Sequence, residues 1–129
     1  WIYQFASVIV DRKSNESRRK SYEEMKRVLD NGLDMLIYPE GTRNKTKNPL
    51  KSFYDGAFKL SVDTGKPIVP VVILNTKRIL PAKPLLYLRP GNIILNILPA
   101  ISPIGHSTES LKNLVFEIMA DHYEKNNKN

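Results

Sequence analysis

The stretch LIYPEGTRNK, residues 36–45, sets a proline, a carboxylate, a glycine, a hydroxyl and a guanidinium side by side where an apolar run ends. Pro39 fixes its own φ and stops a strand. Gly41 lets the backbone come close to a ligand and leaves its N–H unshielded. Arg43 carries a planar fork that meets a phosphate or carboxylate at two points. Thr42 adds a hydroxyl, and Glu40 can accept from a substrate hydroxyl or hold a neighbouring arginine. Two readings fit this spacing. One is a turn closed by an ion pair between Glu40 and Arg43, which at a surface contributes little. The other is a cradle for a small polyol phosphate, with the carboxylate for hydroxyls and the guanidinium for the phosphate.

Other candidates are fewer. Arg12 follows an apolar strand end, where a parallel sheet would bring it near the 39–45 loop. Lys13, Arg18, Arg19 and Lys20 form a basic run, read as a solvated loop and helix start, with contact to anionic lipid headgroups as the alternative. Lys45, Lys47 and Lys51 add charge to the motif loop, and charge alone does not choose among them. His106 precedes the last helix and can help cap it; His122 lies near that helix's apolar stripe. Neither has an acid spaced to orient it as a base, so both are read as structural. There is no metal-ligand cluster, no GxGxxG and no phosphate-binding P-loop.

The elements that would position these residues follow from periodicity. FASVIV (5–10) reads as a short buried strand ending at Asp11 and Arg12. SYEEMKRVLDNG (21–32) reads as a helix: Ser21 and Glu24 have capping-box spacing, Tyr22, Met25, Val28 and Leu29 share a face, and Gly32 suits the C-terminus. LDMLIY (33–38) is apolar enough for a strand buried on both faces. A long polar loop from Pro39 to about Leu50 follows, and such loops are often functional. YDGAFKLSVDTG (54–65) predicts a helix ending at Gly65. PIVPVVIL (67–74) predicts a strand with an edge or bulge at Pro70. RPGN (89–92) predicts a turn and IILNIL (93–98) a strand. A final helix runs from about Ser107 to Tyr123. Alternating strands and helices give an α/β domain with a largely parallel or mixed sheet flanked by helices. Residues 1–123 read as a single domain and 124–129 as a frayed tail.

At 129 residues the chain can bury one real core. It has no cysteine, hence no disulfide framework or thiolate chemistry. The formal net charge of +7 favours anionic partners: phosphates, anionic lipid surfaces or nucleic acid. A nucleic-acid module is disfavoured, because no basic helix is interleaved with aromatics and no strand carries base-stacking aromatics. No run reaches the roughly 20 apolar residues that span a bilayer. The chain opens on an apolar strand without an initiator methionine, and we expect it to be part of a longer protein.

VIVDR (8–12), YPEGTRNK (38–45) and PIVPVVI (67–73) occur in the order and approximate spacing of three signature blocks. In this the chain resembles the lysophospholipid and glycerol-phosphate acyltransferase family, over residues 5 to about 102. The resemblance implies acyl transfer from acyl-CoA or acyl carrier protein to 1-acylglycerol 3-phosphate at the cytoplasmic face of a membrane, making phosphatidate. Glycerol 3-phosphate or another lysophospholipid is the alternative acceptor. It implies no metal or redox cofactor. By the same resemblance Arg12, Glu40, Gly41 and Arg43 bind the phosphorylated acceptor, with Thr42 and Lys45 beside them, and Pro70 and Val71 serve the acyl-donor side. The chain departs from the pattern at Asn44 and Lys45, where the family has Ser and Arg. The family's catalytic His, four residues, Asp is absent: five after His106 stands Leu111, and five after His122 stands Asn127. That pair is expected upstream of Trp1, and residues 1–129 alone are expected to be inactive.

Overall fold

The computed structural model describes residues 14–46, 48–80 and 89–126. In chain order they form helix α1 (Asn15–Asp30), helix α2 (Gly56–Thr64), strand β1 (Val71–Leu74), the single-turn helix α3 (Thr76–Ile79), strand β2 (Ile94–Ile97) and helix α4 (Thr108–Asn126). The expected strand at residues 5–10, and with it Arg12, lies outside the described residues.

Helix α1 begins earlier than the spacing of Ser21 and Glu24 predicts. Ser14 is the N-cap, its hydroxyl accepting from the Ser17 N–H at 3.2 Å. Arg18 donates to Asn15, Lys26 to Glu23 and Arg27 to Glu24; of the basic run, Arg18, Arg19 and Lys20 lie in the helix and Lys13 lies outside the described residues. Straight-chain charged residues are good helix formers, and pairs at this spacing support them. Ser21, the expected cap, is a buried mid-helix residue. The C-terminus is where Gly32 placed it. Gly32 adopts φ +77°, its N–H bonds the Leu29 carbonyl, and the Leu33 N–H bonds that of Val28. These are the two bonds of a Schellman ending, in which a left-handed residue suits glycine.

Residues 33–38 correct the sequence reading. They form no strand among the described residues, and Leu33, Leu36 and Tyr38 are 61%, 76% and 67% exposed. The sheet is also not parallel where it is described. Strand β1 pairs antiparallel with β2, Val71 opposite Ile97 and Leu74 opposite Ile94. Beyond that ladder Leu98 donates to the Pro70 carbonyl, and Ile68 and Ile101 exchange bonds at 2.9 and 2.8 Å. Pro70, with no N–H to give, falls between the bridge and the strand. The architecture is mixed α/β. Val72 and Leu74 are buried while Val71 and Ile73 are only half-buried, so β1 shows the alternation of a one-sided strand.

The core sits between α2 and α4. Phe58, Leu111 and Val115 are almost fully buried, joined by Phe53. Phe53 stacks on Phe58 with centroids 5.9 Å apart and meets Phe116 edge-on at 5.1 Å. Lys112 of α4 reaches Asp55, just before α2, at 2.7 Å. At the start of α4, Ser107 and Ser110 bond reciprocally, each N–H to the other's hydroxyl, and His106 Nδ1 lies 3.2 Å from Ser110 Oγ. The helix continues past Tyr123 to Asn126, so the described part of the expected tail is helical.

Candidate functional site

The 39–51 loop is built outward from that core. Phe53 is buried, and the next residue donates its N–H to the Pro39 carbonyl at 2.9 Å. Two residues earlier, the Lys51 N–H donates to Glu40 Oε2 at 3.0 Å. The beginning and end of the loop are thus stitched together directly above the core. The Gly41 N–H closes a tight turn onto the Tyr38 carbonyl at 3.0 Å, with Gly41 at φ +67°. A left-handed residue is needed here, and glycine adopts it without a Cβ penalty.

The outer half of the loop is organised by Asn44. Its Oδ1 accepts from the Thr46 N–H at 2.9 Å and the Thr46 hydroxyl at 2.7 Å. Its Nδ2 donates to the carbonyls of Asn48 and Pro49. Serine, the residue the resemblance expects at this position, has a single donor and could not supply both of the donor bonds that Asn44 Nδ2 makes. From outside the loop, Lys77 in α3 donates to the carbonyls of Thr46 and Asn48 at 3.0 and 3.2 Å. The residues just after β1 therefore hold the loop tip.

Within this frame lies an open recess of about 360 Å³, lined by Thr42, Arg43, Lys45, Thr46 and Lys51. Its lining carries three cations, two hydroxyls and no carboxylate. Arg43 and Lys45 are exposed and make neither a hydrogen bond nor an ion pair among the described residues. The Lys51 ammonium donates to Thr42 Oγ1 at 2.7 Å. These bonds bear on the first of the two readings of the motif. Glu40 is occupied by the Lys51 backbone and forms no ion pair with Arg43, so the turn is not closed by an internal salt bridge. An uncompensated set of donors at this spacing suits an oxyanion.

Glu40 has a second neighbour. Burial first, and then the negative charge of Glu40, push the Tyr123 phenol above its ordinary range, which places the end of α4 beside the motif. The other expected residues fall elsewhere. Pro70 is buried, Val71 is half-buried in the ladder, and neither lines the recess. Arg12 and Lys47 lie outside the described residues. Arg18, Arg19 and Lys20 are exposed on α1. His122 Nε2 is 3.0 Å from Asn96 Nδ2 of β2, and His106 stays at the α4 cap. Among the described residues no group of three or more His, Asp or Glu side chains is placed to hold a metal ion, and no helix is long and apolar enough to cross a membrane.

Comparison with known proteins gives the same family from two directions. The family model described as Acyltransferase matches residues 1–74. The 1-acyl-sn-glycerol-3-phosphate acyltransferase of Haemophilus influenzae is 30% identical over 112 residues, covering 84% of this chain and 44% of the relative. The mouse 1-acyl-sn-glycerol-3-phosphate acyltransferase alpha is 28% identical over 108 residues, covering 83% of this chain and 38% of the relative. In structure, the 1-acyl-sn-glycerophosphate (LPA) acyltransferase PlsC of Thermotoga maritima superposes with a TM-score of 0.74 at 30% identity, over 82% of this chain and 44% of that one. The chain spans less than half the length of each of these relatives.

Proposed function

The chain belongs to the acyltransferase family, and on that footing we propose that its 39–51 loop binds the phosphorylated acceptor of an acyl transfer to 1-acylglycerol 3-phosphate. The observation that carries this reading is the recess itself, where Arg43 and Lys45 stand without counter-ions among the described residues, next to the Thr42 and Thr46 hydroxyls. A phosphate there would be met by charge and by hydroxyl donors. Glu40, held by the Lys51 N–H, keeps acceptor capacity for a glycerol hydroxyl.

In the proposed reaction the acceptor hydroxyl attacks the thioester carbonyl of acyl-CoA or acyl carrier protein. The new C–O ester bond replaces the C–S bond, and the hydroxyl proton leaves through a general base to the departing thiolate. We assign the base to neither His106, which lies at the α4 cap, nor His122, which lies against Asn96. The thioester supplies the driving force, and the chemistry calls on no metal or redox cofactor. Arg12, Pro70 and Val71 keep their proposed places, the first with the acceptor and the others with the acyl chain. A lipid acceptor puts the reaction at a membrane surface, which we assign to the cytoplasmic side, and the net charge of +7 favours an anionic one.

The test is thioester consumption with lysophosphatidate and glycerol 3-phosphate as competing acceptors. Consumption that depends on lysophosphatidate, and is lost in Glu40→Ala and Arg43→Ala with acyl-donor binding kept, is the expected result. Kinetics unchanged in both variants would overturn the assignment.

A further inference from the structure

Lys51 differs from the other lysines with described partners. Lys26, Lys59, Lys112 and Lys125 face carboxylates, and Lys77 faces two carbonyls. The Lys51 ammonium instead faces one neutral hydroxyl, that of Thr42, at the wall of a recess that already holds two cations without a partner among the described residues. One of its three donors is used, and its charge is not neutralised. Its stem cannot drift far, because its own N–H is fixed to Glu40. A lysine side chain is a compact point charge on a flexible tether, and here the tether starts from a pinned backbone.

We infer that Lys51 is a further acceptor-binding residue, whose ammonium turns from Thr42 to meet the second negative charge of a phosphate monoester. The inference rests on the acceptor-site reading above and adds a selectivity to it. A phosphate monoester carries about −1.5 to −2 at pH 7, its second proton leaving near pH 6. A phosphodiester headgroup carries one charge and one fewer free oxygen. Arg43 answers a single charge with its fork, so a diester is satisfied without Lys51. The monoester's remaining charge needs a second cation, and Lys51 is the one held at both backbone and side chain. Thr42, once released, turns its hydroxyl into a donor for the same phosphate.

The experiment is a calorimetric titration of the chain with sn-glycerol 3-phosphate and with sn-glycero-3-phosphocholine, which share the glycerol and differ in phosphate charge. The wild-type chain is expected to prefer the monoester, and increasingly so from pH 5 to pH 7. Lys51→Gln, which can still donate to Thr42 but has no charge, is expected to lose about tenfold in monoester affinity, the low end for a hydrogen bond to a charged group. It should bind the diester as before and lose the pH trend, while Lys51→Arg restores most of both. Equal weakening of both ligands by Lys51→Gln would make Lys51 structural, and no change with either would remove it from the site; both overturn the inference. Arg43→Ala separates the levels. If it abolishes binding while Lys51→Gln does nothing, the acceptor site stands and Lys51 falls. If the wild-type chain binds neither compound, the acceptor-site reading fails and this inference with it.

Discussion

The core between α2 and α4 and the motif loop above it touch at Phe53, yet they are held by different forces. Below, Phe53, Phe58, Leu111 and Val115 exclude water and carry no polar partner of their own. Above, Asn44, Thr46, Lys51 and Lys77 hold a mostly exposed backbone by hydrogen bonds of 2.7–3.3 Å. Apolar burial is non-directional, so it sets where the loop is rooted without setting its shape. Hydrogen bonds are directional and individually modest, so they set the shape without supplying much stability. The division leaves Arg43 and Lys45 outside both networks, where a ligand can use them.

Breaking the lower half should therefore unfold the protein, and breaking the upper half should disable it while folded. The largest effect is expected from Leu111→Ala, which empties a fully buried position and costs about 2–5 kcal/mol in urea denaturation. Next comes Arg43→Ala, which loses about 1.5–3 kcal/mol of glycerol 3-phosphate binding in calorimetry, the range for a charge-assisted bond, with an unchanged melting temperature. A drop in stability there would show that the upper network carries more of the fold than the comparison allows. Asn44→Ala is expected to weaken the same binding by about 1 kcal/mol and to speed hydrogen exchange at Thr46 and Asn48, both of which its side chain now holds. The smallest effect concerns a polar contact away from the loop. The Tyr22 hydroxyl donates to Asp63 at 2.7 Å, and burial, then that bond and the Asp63 charge, push its phenol far above the usual 10.0. The folded state then keeps a proton that the unfolded chain releases above pH 10, so stability is full below that pH and falls as pH climbs past it. Tyr22→Phe should remove this alkaline slope from a thermal-melt series and leave acceptor binding alone.

Local signals were readable in the chain wherever a structure depends on near neighbours. Gly32 and Gly65 end their helices, Ser107 begins the last one, and Gly41 closes the turn that residues 39–43 announce. Ser14 and Ser21 were equally good caps by type, and only the strength of the helix between them decides for Ser14. Residues 33–38 misled because an apolar run states a wish for burial and not the partner that provides it. Their strand character needs a neighbour, and no sequence window contains one. The same holds within the site. Glu40 and Arg43 are visible as a cluster, whereas the side chains of Lys51 and Lys77 find partners 9 and 31 residues away. Lysines are too common for charge alone to select those two. Asn44 was visible as a departure from the family's serine, but its role emerges only with the carbonyls of Asn48 and Pro49 folded back beside it.

The crossing of Pro39 by the N–H of Tyr54, and of Glu40 by that of Lys51, has an evolutionary side. Closing a loop at its base makes the cost of lengthening it grow only logarithmically, by roughly 0.6 kcal/mol for each doubling. What lies between the two stitches behaves as a cassette. Its residues can be exchanged, extended or recharged while both chain ends stay seated on Phe53, so the preference proposed for this loop can drift without the fold being solved again.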